Sequence, residues 1–286
     1  MHRGAELLDS NLDEAERCYR RAIEIDPTLR GAWFDLGLIH KWRKEWDRCL
    51  ECNKTAAALL TTQEAHHAAE YWNAGIAATA IEDWPSARWA WRNFGIPIPI
   101  DDGDGPIEMN FGLGVVRLPV GETVWGRRID PARMILLSIP LPESGFRAGD
   151  IVLHDGEPKG RRAIDGNEYP VFDIIARWRE SPDPTIEVVV DADASQIAAL
   201  LAALETNHVP HENWTESIHP LCAACSHGRV DYDHPDHNHE ADLPGTAVTI
   251  GCSGELDRIV TIVERWNQTT HGTILHINQI ASQIDG

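Results

Sequence analysis

The sequence has no uninterrupted apolar run approaching the roughly 20 residues that cross a bilayer. After Met-His-Arg-Gly the chain is charged at once, so nothing near Met1 reads as a secretory leader, and a cytoplasmic protein is expected. Positive charge is scarce: 25 Lys and Arg stand against 45 Asp and Glu, a formal charge of −20. Such a surface cannot replace the counterions around phosphates, which argues against nucleic acid or an anionic membrane as partner. Cysteine is also sparse. Six in 286 residues do not make a disulfide scaffold, and Cys18, Cys49 and Cys52 fall on helical patterns where a thiol serves as a small buried hydrophobe. A complete nucleophile–base pattern and a phosphate-cradling glycine loop are both missing. The length predicts two or three domains.

The front of the chain carries an internal rhythm. Residues 12–27 read LDEAERCYRRAIEIDP, with Ala15, Tyr19, Ala22 and Pro27 in a small–aromatic–small–proline order. Trp33, Leu36 and Gly37 then open a second unit, and Cys49 takes its small-residue position, since 49 − 15 = 34. A third unit runs from Tyr71 through Gly75 to Ala87, Trp91 and Phe94; here 87 − 49 = 38, so about four residues are inserted near Thr61–His67. This pattern resembles the tetratricopeptide repeat over residues 1–95, with His40 and Asn53 in slots that are usually aromatic. The first unit begins partway through its first helix, so an upstream portion is expected to be absent or replaced by another packing element. The resemblance implies stacked helix pairs with a shared core and a concave face for a peptide or protein partner. Seven of the eleven tryptophans lie here. Trp42 and Trp46, four apart in HKWRKEWDR, read either as an exposed partner-binding patch or as packing against the domain that follows.

Composition changes at Gly95. GIPIPIDDGDGP breaks the helix and predicts a linker over 96–106. Between 107 and 182 the runs are short and extended (IEMNFG, GVVRL, ETVWGRRI, RMILLSI, DIVLHD, EYPVFDII) and bounded by Gly, Pro and Asp. They predict a small β-rich barrel or sandwich of about six strands. Asp150, His154 and Asp155 read there as turn and cap residues rather than an acid–base group. Arg127, Arg128 and Arg133 suit pairing with nearby carboxylates, or an anion.

From 183 to 286 the pattern becomes strand–helix, loop, strand–helix–strand. IEVVV precedes a helix with Asp193 or Ser195 available as its cap and Ile197, Leu200, Leu201 and Leu204 as its apolar stripe. TAVTIGC, GELDRIVTIVERWNQ and TILHINQI follow as strand, helix and strand. The arrangement resembles a small α+β sandwich of the ferredoxin-like kind. Gly251–Gly254, GCSG, sits at a strand-to-helix junction and reads as a glycine-assisted turn.

Between those halves lies the chain's densest set of metal-ligating side chains, residues 218–240. Seven of fourteen histidines fall between His208 and His239, and Cys222 and Cys225 form a CxxC. A tetrahedral zinc needs four N or S ligands, and a CxxC supplies two from one turn. Cys222, Cys225, His237 and His239 are the preferred quartet, with His234 or His227 able to substitute, and Asp231, Asp233 and Asp236 are placed to orient the rings. A structural zinc would order a loop with almost no apolar residues of its own.

The expected protein is therefore multidomain and non-enzymatic: an adaptor with a tetratricopeptide-like partner-binding surface and a structural zinc site. The alternatives are a metal-dependent hydrolase using the Cys/His stretch, or a metal carrier or sensor.

Overall fold

The computed structural model describes residues 11–99, 104–164, 166–217 and 247–280. The chain divides into two compact units, Met1–Met109 with Asp130–Ala132, and Asn110–Ile129 with Arg133–Gly286.

The first unit is built on five helices: α1 (Leu12–Ile25), α2 (Arg30–Trp42), α3 (Trp46–Ala58), α4 (Ala69–Ala80) and α5 (Trp84–Phe94). Each packs on the next along the chain, and α2 also meets α4. The pairs α2–α3 and α4–α5 repeat one another with an offset of 38 residues. Their turns pass through left-handed Lys44 (φ 59°) and Glu82 (φ 61°), and 82 − 44 = 38. Both turns close by the same wrap-around bond, from the amide of Glu45 to the His40 carbonyl (2.8 Å) and from Asp83 to Ala78 (2.9 Å), which satisfies a carbonyl left open at the helix end.

Inside each pair one glycine admits one large side chain. A β-carbon on Gly37 would fall 2.5 Å from Asn53 Nδ2, and one on Gly75 would fall 2.5 Å from the Trp91 ring. The offsets agree again, 75 − 37 = 38 and 91 − 53 = 38. Polar ties stitch the pairs together: Lys41 Nζ to Asn73 Oδ1 at 2.9 Å between α2 and α4, and Lys54 Nζ to Ser86 Oγ at 2.5 Å between α3 and α5.

The second unit holds two sheets. Strands β1 (Leu113–Arg117), β2 (Thr123–Arg128), β3 (Arg133–Leu136), β4 (Ile151–His154) and β6 (Asn167–Arg179) pair in that order, and β1 returns to β6 in parallel with Val115 opposite Val171. The ring is closed, so this region is a five-stranded barrel. β5 (Gly160–Ile164) pairs with the first half of β6, while the second half, shifted twice in register, pairs with β4. Val116, Leu118, Val124, Met134, Leu136, Val152 and Phe172 fill the core. The IEMNFG run predicted as a strand is not one; β5, whose GRRAI sequence offers no apolar alternation, is. Arg128 and Arg133 lie over rings, 4.9 Å from the Phe172 centroid and 4.4 Å from that of Trp178.

The remaining elements are β7 (Thr185–Asp191), α6 (Ala194–Thr206), β8 (His211–Asn213), the short α7 (Trp214–Ser217), β9 (Ala247–Ser253), α8 (Leu256–Thr270) and β10 (Thr273–Gln279). The strands form a separate sheet in the order β10-β7-β9-β8, antiparallel throughout. Alternation decides its buried face: Ile186, Val188 and Val190 of β7 pack with Leu200 and Leu204 of α6 and with Ile259, Val263 and Trp266 of α8. Asp193 is the cap of α6, and with Gln196 it completes a reciprocal capping box. Among the described residues no helix is long and apolar enough to cross a membrane.

Candidate partner-binding surface

On the helical unit the N-terminal ends of α2 and α4 border a groove of about 500 Å³. Gly31, half-buried Phe34 and Ala69 give it a small, apolar lining, and Arg30, Glu64 and Glu70 a charged rim. Glu70 is almost wholly buried and holds the Arg30 guanidinium at 2.5 Å, while Glu64 meets the same guanidinium at 3.4 Å. The Thr61 hydroxyl and amide both donate to Glu64, and its carboxyl is held below the usual range, with Arg30 contributing less. A side chain introduced at Gly31 would meet open space, since nothing lies within 4 Å of its β-carbon position. One guanidinium thus faces two carboxylates, so the rim is ordered and keeps a net negative charge.

The two tryptophans singled out in the sequence stand at opposite ends of the α2–α3 turn. Trp42 closes α2 and is 54% exposed; Trp46 opens α3 and is half-buried. Arg43 between them is fixed by Glu16 and Asp13 of α1. A second aromatic surface lies on α5, where Trp89 is partly exposed beside Tyr71 (5.4 Å between rings) and under Lys54 Nζ at 5.9 Å. The Arg30–Phe34 groove was not singled out from the sequence. Its only local signal is a basic and an aromatic residue four apart on one helix face, and its other wall comes from more than thirty residues downstream.

Cys222, Cys225, His234, His237 and His239, the predicted metal ligands, lie outside the described residues. Among the described residues no group of three or more His, Cys, Asp or Glu side chains is arranged to hold a metal.

Other candidates for chemistry are occupied structurally. Burial pushes the thiols of Cys49 and Cys252 up to about 12 and that of Cys52 up to about 11, so they stay protonated and unreactive near neutrality. The GCSG segment, expected as a glycine-assisted turn, is strand through Ser253: Cys252 is buried in β9, and Gly251 is bare because the Trp214 indole lies where its β-carbon would be, 2.3 Å away. Asp150 accepts amides from Arg147 (3.0 Å) and Ser181 (2.7 Å) and pairs with Arg177. His154 accepts the Gly156 amide on Nδ1 at 2.9 Å. Burial first, and the Arg128 charge second, drive its pKa down to about 3. His154 therefore stays neutral at physiological pH.

Comparison with protein-family models, characterised proteins and solved structures finds no match for this chain.

Proposed function

We propose that the chain is a cytoplasmic, non-enzymatic interaction protein whose helical unit is a tetratricopeptide-type array receiving a segment of a partner protein. The observation carrying this reading is the 38-residue repetition of one contact, Gly37 against Asn53 and Gly75 against Trp91, together with the matching turns at Lys44 and Glu82. Repetition of a helix pair leaves the first helix of each pair facing one side, and the groove between α2 and α4 lies between two such first helices. Arg30 is prepaid in its position by Glu70, so a docking segment meets an ordered rim and an apolar floor. Trp42 is the exposed aromatic closest in type to an interface anchor.

In the same reading the C-terminal layer is ferredoxin-like, supported by the strand order β10-β7-β9-β8 with one long helix after β7 and one after β9. Cys222 and Cys225, with His237 and His239 or with His234 in place of one, hold a structural zinc; the CxxC and the polar composition around it support that assignment.

Gly31→Trp in the full-length chain tests the groove, because the new side chain enters open space without displacing a core residue. Partner proteins retained by the wild type and lost by Gly31→Trp, at unchanged melting temperature, are expected. Equal retention by both chains would refute the groove as the binding site.

A further inference from the structure

The residues inserted between the helix pairs, Thr61–His67, begin with a turn that carries its own cap. The Thr61 amide (3.0 Å) and hydroxyl (2.7 Å) both donate to Glu64 Oε2. The amides of Glu64 and Ala65 return to the Thr61 carbonyl at 3.1 and 3.0 Å. The turn thereby holds Glu64 at the rim of the α2–α4 groove, with its Oε1 3.4 Å from the Arg30 guanidinium. The insertion has given the groove a carboxylate.

That carboxylate is the accessible one. Glu64 keeps 46% of its side chain exposed, whereas Glu70 keeps 4% and pairs with Arg30 at 2.5 Å. Arg30 is the sole cation among the lining residues, and its guanidinium is already divided, Nη1 to Glu70 and Nη2 to Glu64. An acidic segment would compete with both for that guanidinium and leave the buried Glu70 without its partner, a costly exchange. A basic segment needs only the exposed side of Glu64. The ten-residue stretches that supply the lining, 26–35 and 61–70, hold four Asp and Glu against one Arg. Over 11–99 the balance is nearly even, 13 Asp and Glu against 11 Lys and Arg, so the negative surplus is local to the groove.

We infer that the groove selects a partner segment in which a Lys or Arg stands next to an apolar side chain, the cation meeting Glu64 and the apolar group lying on Gly31, Phe34 and Ala69. This rests on the partner-binding reading above and adds the chemistry of the partner. An exposed ion pair contributes little energy, so the charge decides which segments dock more than how tightly they are held. The apolar lining supplies the rest.

Selection of random displayed peptides on the full-length wild type, Gly31→Trp and Glu64→Arg tests it. Peptides retained by the wild type and lost on Gly31→Trp should be enriched in Lys or Arg beside an aliphatic or aromatic residue. On Glu64→Arg the enrichment should shift toward Asp and Glu. Glu64→Gln keeps an acceptor for Thr61 without the charge, which keeps the test available if Glu64→Arg fails to fold. It should weaken a selected basic peptide by about two- to fivefold and reduce the salt dependence of its binding. Groove-dependent peptides of neutral or acidic composition would overturn the inference and leave the partner-binding reading standing. So would unchanged affinity and salt dependence in Glu64→Gln. If no peptide distinguishes the wild type from Gly31→Trp, the partner-binding reading itself fails, and this inference with it.

Discussion

Gly75 lies so close to Trp91 that a single added carbon would fall 2.5 Å from the edge of the indole, and 38 residues earlier Gly37 stands in the same relation to Asn53. Gly75→Ala should therefore overpack a buried ring with no room to move. A loss of about 1–3 kcal/mol is expected, read as a lower denaturation midpoint at unchanged m-value. Gly37→Ala should cost less, because the obstructing atom is the end of an amide that can swing. Equal melting of Gly75→Ala and wild type would show that the helix pair is not packed this way.

Asn53 occupies a slot suited to a large apolar side chain. Its Nδ2 donates to the Cys49 carbonyl at 2.8 Å, but its Oδ1 is buried without a partner. Asn53→Leu keeps the branched shape and removes the unsatisfied acceptor, so a gain of about 1 kcal/mol is expected. Thermal unfolding of the full chain checks it, and a fall in melting temperature would mean that the amide is needed where it is.

Asp193 accepts the amides of Ser195 (2.8 Å) and Gln196 (2.9 Å) at the start of α6, and both bonds hold its carboxyl below the ordinary range, after the Ser195 hydroxyl. Asp193→Ala should lower the denaturation midpoint, because two amides at the start of α6 lose their acceptor. The sign of its pH dependence follows: a depressed carboxyl contributes above its unfolded value of 3.8 and loses its contribution as the pH falls below it. Acid titration of wild type and variant by circular dichroism should therefore converge at low pH, and a constant gap would contradict the cap.

The zinc assignment is open to direct measurement. The full chain purified without a metal-affinity step should carry about one zinc per molecule, as expected of a four-ligand structural site. Cys222→Ser and Cys225→Ser should lose the metal and melt lower. A metal-free wild type whose variants melt unchanged would remove the site, and exchangeable metal with unaltered stability would point to a carrier.

Much of this fold was written in local pattern. Trp33, Leu36 and Gly37 mark α2, the β-branched run before Asp191 marks β7, and Asp193 marks the start of α6, because periodicity and caps act within a few residues. β5 was not legible, since GRRAI is polar and gains its place only by pairing with Asn167–Val171. Nor was β8, three residues long and recognisable only through its pairing with β9. That Arg128 and Arg133 also lie over Phe172 and Trp178 was not legible either, because it depends on how the barrel closes. The same applies to function. The Arg30–Glu70 rim joins residues far apart in the chain, and no spacing rule connects them.

Site-specific photo-crosslinking from Phe34 in the full-length chain, inside cells that produce it, tests the partner-binding reading most directly. The same photoreactive residue at exposed Glu264 on α8 serves as the control position. A discrete protein adduct from Phe34, absent from Glu264 and abolished by Gly31→Trp, is the expected result. No adduct from Phe34, or the same adducts from both positions, would contradict a partner held in the α2–α4 groove.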